Sequence, residues 1–277
     1  MSEHFKKRVA LIYGAGNGIG RAVAQEFARR GARLGVADID LDGAKQTASL
    51  IAEAGGEAIA LSCDVTQTES VRAAADEAEA RLGPADIVMN NVGVILSGNP
   101  EDIPLHEWER IINLNLMSTV RGIDVFLPKM IARGGGHIIN TASFAGLFPY
   151  AANRLPYAAS KAAVISLSQN LAIYLQPMGV RVSCFCPGPV LTGVMGAMKT
   201  WSKNVAMRGV GRQYRLMQPD EAATILADGV ENGRVLIPTH EEVLGDLQRW
   251  AASPDGFIQA KIDAFAAGDD GRPGTAP

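Results

Sequence analysis

Tyr157 and Lys161 stand four residues apart in an apolar stretch with helical spacing, so on a helix both side chains leave from one face. A phenol with an ordinary pKa near ~10 is a poor base at neutral pH, and an ammonium beside it stabilises the phenolate and lowers that value. Such a pair can hand a proton to an oxygen or take one from it. Ser143 follows an apolar run, 136–142, that reads as a strand. Its hydroxyl then stands just past the strand's C-terminal end, where open α/β sheets hold their ligands.

A second group is built for a different task. Gly14, Gly16, Gly18 and Gly20 lie between the first apolar run and the first helical stretch, where a tight turn must let a pyrophosphate approach the backbone and a helix N-terminus. Asp38 closes the second apolar run 18 residues after Gly20, close to the ~20 found for an acidic residue that holds ribose hydroxyls. A carboxylate there repels a 2'-phosphate, and neither Asn17 nor Ile39 supplies a positive charge for one. The pattern predicts NAD in preference to NADP.

The elements that must position these groups alternate along the chain. Strands are predicted at 8–13, 33–38, 57–61, 86–89, 136–142, 180–185 and 234–237. Helices are predicted at 18–30, 41–54, 106–130, 157–175 and 221–231, with one more starting at a Thr66/Glu69 capping box and two after 237. Strands separated by helical stretches of ten residues or more imply a parallel sheet with crossover helices on both faces, a doubly wound Rossmann-type α/β fold of about seven strands. One domain is expected over 1–267, with a small Met-rich lid at about 193–215. The tail 268–277, rich in Gly, Pro and Asp, is expected to be disordered.

Taken together, these residues resemble the short-chain dehydrogenase/reductase family. The glycine loop Tyr13-Gly14-Ala15-Gly16-Asn17-Gly18-Ile19-Gly20 matches the family's opening motif with Tyr13 in place of Thr. Asp64-Val65, Asn90-Asn91-Val92-Gly93, Ser143, Tyr157 with Lys161, and Pro187-Gly188-Pro189-Val190-Leu191-Thr192 follow in order, from Arg8 to Thr192 overall. The resemblance implies Tyr157 as acid and base, Lys161 on the nicotinamide ribose and as the group that lowers the Tyr157 pKa, and Ser143 as the hydroxyl that orients the substrate oxygen. It implies Asn115 as holder of a relay water. Asn113 competes for that role, and the count of seven residues from Trp108 favours Asn115. The NAD contacts it implies are Gly14, Asn17, Gly18, Ile19, Gly20, Asp38, Ile39, Asp64, Val65, Asn91, Val92, Gly93, Tyr157, Lys161, Pro187, Gly188, Val190 and Thr192.

The function so implied is an NAD-dependent oxidoreductase that interconverts a secondary alcohol and its ketone. The rival readings are an NAD-binding regulatory protein without turnover and an NAD-using lyase or epimerase. The expected pocket wall, Val94, Ile95, Leu96, Phe144, Leu147, Phe148, Tyr150 and the methionines Met195, Met198 and Met207, is mostly apolar with Arg154 the exception. The segments 218–223 and 236–240 resemble those of bacterial family members that oxidise bulky alicyclic or aryl secondary alcohols. A neutral, bulky alicyclic or aromatic substrate is therefore expected. A homotetramer is expected from the resemblance and from the stretches 157–175 and 111–120, apolar on nearly every side, which need cover beyond the sheet.

Composition excludes other classes. With 277 residues, Lys plus Arg at 26 and Asp plus Glu at 29, the net charge of -3 lacks the basic excess of a nucleic-acid binder. At 47 % hydrophobic and 20 % charged the chain is a folding one. No run approaches the ~18 to 20 apolar residues of a membrane span, and the start is polar, so a soluble cytoplasmic protein is expected. Cys63, Cys184 and Cys186 have no ligand partners at metal-site spacing, so no metal is expected.

Overall fold

The computed structural model describes residues 4–192, 199–203 and 205–272. The short apolar runs become β1 (Val9–Tyr13), β2 (Arg33–Asp38), β3 (Glu57–Ser62), β4 (Ile87–Asn90), β6 (Gly136–Thr141), β7 (Val180–Cys186) and β9 (Leu236–Pro238). They form one sheet in the order β3-β2-β1-β4-β6-β7-β9, every pairing parallel. β1 and β4 are buried along their whole length, as strands covered on both faces must be. A further pair, β5 (Leu96–Ser97) and β8 (Lys199–Thr200), lies outside this sheet. Two-residue strands carry no periodicity, and the sequence did not announce them.

Helices pack on both faces. α1 (Gly18–Arg29), α2 (Leu41–Glu53) and α7 (Pro219–Glu231) bury Val23, Phe27, Ile51 and Leu226 in one core. On the other face α3 (Thr68–Leu82), α5 (Ser118–Ala132) and α6 (Leu155–Leu175) bury Val71, Ala78, Phe126 and Leu175. α4 (Leu105–Ile112) precedes α5, and α8 (Val243–Ala252) and α9 (Pro254–Ala266) close the described chain. Strand order runs one way from β1 through β2 to β3 and the other way from β4 onward. The crevice at that reversal, outside the C-terminal ends of β1 and β4, is where a ligand fits such a sheet.

Three local expectations change. Thr66 does not cap α3: its hydroxyl donates to Asp64 Oδ1 (2.7 Å) and the helix starts two residues later. The predicted helix 106–130 is two α-helices joined by a π-turn, Asn113–Met117, an insertion that shifts which side chains face inward. Of the tail expected to be disordered, residues 268–272 are hydrogen-bonded to a loop: Gly209 N donates to Asp270 O (2.7 Å) and Gly211 N to Gly271 O (2.8 Å). Residues 273–277 lie outside the described residues. Among the described residues no helix is long and apolar enough to cross a membrane, and no cluster of three or more His, Cys, Asp or Glu could hold a metal ion.

Candidate active site

The loops at the reversal line one cavity of about 800 Å³. Every NAD contact anticipated from the sequence borders it, and so does Ser143. At one end lies the glycine loop. A Cβ on Gly20 would stand 2.0 Å from the Gly14 carbonyl oxygen, so only glycine lets α1 begin against the end of β1 with its free N–H groups turned to the loop. Asn91 Nδ2 donates to Gly14 O (3.0 Å), and Thr141 Oγ1 donates to Asn91 Oδ1 (3.2 Å). These two bonds tie the loops after β1, β4 and β6 into one frame. Tyr13, which replaces the family's Thr, is buried and donates to Val71 O (3.3 Å) on the α3 side.

Asp38 is fixed beside the loop. Its Oδ2 accepts from Gly16 N (2.8 Å) and its Oδ1 from Asp40 N (3.0 Å). Capping of α2 falls instead to Asp40, which accepts from Gly43 N (3.1 Å). The Asp38 carboxylate is thus free of the cap role and faces the cavity with exposed Ile39 beside it. Asp64 and Val65 follow β3 on the same wall. The segment after β7 is held by Met217 N to Pro189 O (2.9 Å) and Leu191 N to Met217 O (2.8 Å), which brings Thr192 to within 3.7 Å of where a Gly18 side chain would begin.

The middle of the cavity carries the titratable groups. Ser143 follows β6, its Oγ accepts from Ala145 N (3.2 Å), and its hydroxyl favours the ionised form of the Tyr157 phenol. Burial pushes the Tyr157 pKa above its ordinary value, opposed by the Ser143 hydroxyl and by the charge of Arg154. Lys161, one turn on, is buried and donates from Nζ to Thr141 O (2.7 Å), with Nζ 5.9 Å from the Tyr157 ring centre. Burial brings its pKa down to about 8, with the Cys184 and Cys186 thiols pulling the other way. The sequence named Lys161 as the cation acting on Tyr157; the positive charge that favours the phenolate here is that of Arg154, three residues before the phenol.

The two asparagines separate cleanly. Asn115, buried in the π-turn, accepts from Val94 N at Oδ1 (2.8 Å) and donates from Nδ2 to Val94 O and Ser160 Oγ (both 3.0 Å). Asn113 turns away and accepts from Arg121 Nη2 (2.7 Å). A Cβ on Gly93 would lie 2.9 Å from Lys161 Nζ and 3.7 Å from Asn115 Oδ1. The bare backbone there leaves the space between amide and ammonium open.

The far end departs from the anticipated wall. Val94, Ile95, Tyr150 and Met207 line it, with Leu114, Val210 and Leu216, which sequence reading missed. Leu96 packs instead on Ile103 and Ile111. Phe144, Leu147 and Phe148 belong to a core with Val164, Ile165 and Tyr214. Met195 and Met198 lie outside the described residues. Arg154, Arg208 and Arg272 also border this cavity; the last two come from a loop and a tail whose approach no local pattern reveals.

Similarity to known proteins agrees with this geometry. The family described as short chain dehydrogenase matches residues 8–203. Cyclohexanol dehydrogenase of Acinetobacter sp. (strain SE19) is 33 % identical over 228 residues, 82 % of this chain and 89 % of that protein. The 7alpha-hydroxysteroid dehydrogenase of Escherichia coli (strain K12) is 35 % identical over 218 residues, 78 % and 84 % of the two chains. A short chain dehydrogenase/reductase from Burkholderia phymatum, solved in complex with NAD, superposes with a TM-score of 0.78 at 31 % identity, covering 88 % of this chain and 92 % of that one. The chain belongs to the short-chain dehydrogenase/reductase family of oxidoreductases.

Proposed function

We propose that this protein is an NAD-dependent oxidoreductase that interconverts a bulky alicyclic or aromatic secondary alcohol and its ketone. The observation that carries the reading is the single cavity in which the glycine loop and Asp38 occupy one end and Ser143, Tyr157 and Lys161 the middle. The cyclohexanol and hydroxysteroid relatives lend support, since both are named for ring alcohols.

The residues fit the cofactor: a loop only glycine can form, a helix N-terminus facing it, and a carboxylate where ribose hydroxyls lie. NAD(H), when bound, supplies or accepts the hydride. Asp38 selects against a 2'-phosphate by charge. Ser143 donates to the substrate oxygen and orients it. Tyr157, its pKa raised by burial, carries its proton at neutral pH and gives it to a ketone oxygen; in the oxidative direction the Ser143 hydroxyl and the Arg154 charge favour the phenolate that takes the proton back. Lys161 holds the nicotinamide ribose. Asn115 keeps a water in the gap beside Gly93 that passes protons to and from Lys161.

The protein is further proposed to work in the cytoplasm as a homotetramer, with Ile173 and Tyr174 of α6 and Leu105 of α4, all more than half exposed, covered by neighbouring subunits. The free cysteines suit a reducing compartment. A panel of ring, linear and phosphorylated alcohols with NAD and with NADP, followed by absorbance of the reduced cofactor, tests the reaction. The reading is lost if phosphorylated sugars or short hydroxy acids give the highest kcat/KM. Sedimentation that shows only monomer at micromolar concentration removes the tetramer.

A further inference from the structure

The substrate end of the cavity carries more positive charge than a neutral ring alcohol needs. Arg154 stands at the N-terminus of α6, just before the helix and three residues before Tyr157. Its guanidinium stacks over the Tyr150 ring (5.4 Å to the centre), and Nη2 donates to Arg208 O (2.5 Å). Arg208 stacks on Phe265 (4.6 Å) and donates to the carbonyls of Asp269 (3.3 Å) and Phe265 (3.4 Å). Two carboxylates come near, and both are engaged elsewhere: Asp270 with Arg272 (2.8 Å) and Asp269 with Arg212 (3.5 Å).

Neither Arg154 nor Arg208 has a carboxylate within ion-pair distance among the described residues, although backbone contacts link the two. Like charges brought together without a counter-ion weaken a fold, and a partly buried guanidinium normally finds an acidic partner. The acids that line the cavity, Asp38 and Asp64, belong to the glycine-loop end. The charge that would balance this end is therefore absent from the described part of the chain and fits a ligand.

We propose that the substrate carries a carboxylate, and that Arg154, with Arg208 behind it, receives that carboxylate while Ser143 and Tyr157 hold the reacting oxygen. This rests on the alcohol–ketone reading and replaces the neutral substrate expected from sequence with a ring hydroxy acid and its keto acid. The planar fork of Arg matches a carboxylate with two parallel bonds. Arg154 and Tyr157 border the same cavity, so one substrate can meet the guanidinium with its acid group and the phenol with its reacting oxygen. The charge of Arg154 is felt by the Tyr157 phenol, which agrees with a guanidinium directed toward the reacting end.

The test compares an oxocyclohexanecarboxylate, its acid group across the ring from the ketone, with its methyl ester, using NADH and the full-length enzyme. The free acid is expected to show kcat/KM about tenfold or more above the ester. Arg154→Met should lower the acid by about 10²-fold, the scale of truncating one partner of a hydrogen-bonded charge pair, and the ester by less than about threefold. Arg154→Lys should restore part of the acid's advantage. The acid-to-ester ratio isolates the salt bridge, because any change in Tyr157 acidity or in the 207–211 loop affects both substrates alike. Equal rates for acid and ester in the wild type overturn the proposal. So does an Arg154→Met variant that loses both equally, or whose main defect is a raised KM for NADH. If neither compound is reduced although NADH binds, while another class of carbonyl is, the alcohol–ketone reading of ring substrates fails as well.

Discussion

The two ends of the cavity are built by different rules. The glycine-loop end consists of consecutive residues at the C-terminal ends of β1, β2, β3 and β4, held by backbone groups and short side chains such as Asn91 to Gly14 O and Asp38 to Gly16 N. The substrate end is assembled from the residue before α6, the loop 207–211 and the tail at 272, joined by bonds between residues more than fifty positions apart. A parallel sheet fixes the first end wherever its strands stop. The second depends on segments outside the sheet, which can change without disturbing the fold. On the function proposed above, this difference separates a common reaction from a particular substrate.

The strongest way to break the comparison is at the middle, which should belong to the shared chemistry. Tyr157→Phe keeps the ring and removes the proton-transfer group. Turnover should fall by the ~10² to 10⁴ typical of a lost general acid or base, while NADH still binds. Fluorescence titration of NADH beside steady-state rates checks both halves. A variant with near-normal turnover would remove Tyr157 from the reaction.

Next in size is the stability that the buried ammonium withholds. Burial lowers the Lys161 pKa to about 8 from an unfolded value of 10.5. Between those values the unfolded chain binds more protons than the folded one, so stability should rise with pH from about 8 to 10.5. The rise amounts to about 3 kcal/mol and is complete above the unfolded pKa. Urea midpoints of the cofactor-free protein, compared with Lys161→Met across that window, isolate the contribution. A wild type and variant that run parallel would show that the ammonium is not strained.

The glycine-loop end gives a selectivity effect. Asp38→Ala removes the repulsion toward a 2'-phosphate and leaves the Gly16 and Asp40 N–H groups without their acceptor. NAD affinity should drop, and the preference for NAD over NADP should narrow by about 10²-fold, as expected for a like-charge contact worth a few kcal/mol. If the ratio of kcat/KM values for the two cofactors does not move, Asp38 is not the selecting group.

The legibility of the sequence follows the same division. Apolar runs of the right length announced all seven strands of the main sheet, because a strand buried on both faces needs little beyond continuous hydrophobicity. Gly14 to Gly20, Asp38 and the Tyr157–Lys161 pair could be placed on one cavity from the sequence because the roles proposed for them demand a residue type at a fixed spacing. Arg208 and Arg272 could not, since their approach follows from loop-to-tail hydrogen bonds that use main-chain atoms and leave no trace in residue type. Phe144, Leu147 and Phe148 misled for a related reason: proximity to Ser143 in sequence does not say which side of the β6 loop a ring takes, and these three turn to the α6 core. The Thr66/Glu69 pattern failed because Asp64, two residues earlier, competes for the Thr66 hydroxyl.

The smallest expected effect is the most local. Asn113 and Asn115 are two positions apart, and a regular α-helix would set them on different faces without saying which one turns toward Val94 and Ser160. The π-turn places Asn115 on Val94 and Ser160 and Asn113 on Arg121. Asn113→Ala removes one charge-assisted bond in a half-buried place and should cost about 1 to 2 kcal/mol of stability. Its turnover should stay within about twofold of wild type, since no change reaches the reacting groups. Asn115→Ala strips Val94 N–H and C=O of their partner next to Gly93 and Lys161, and its turnover should fall by at least about tenfold. Paired kinetics and urea unfolding of the two variants decide the matter. An Asn113 variant with the larger kinetic defect would place the relay on the other face of the turn.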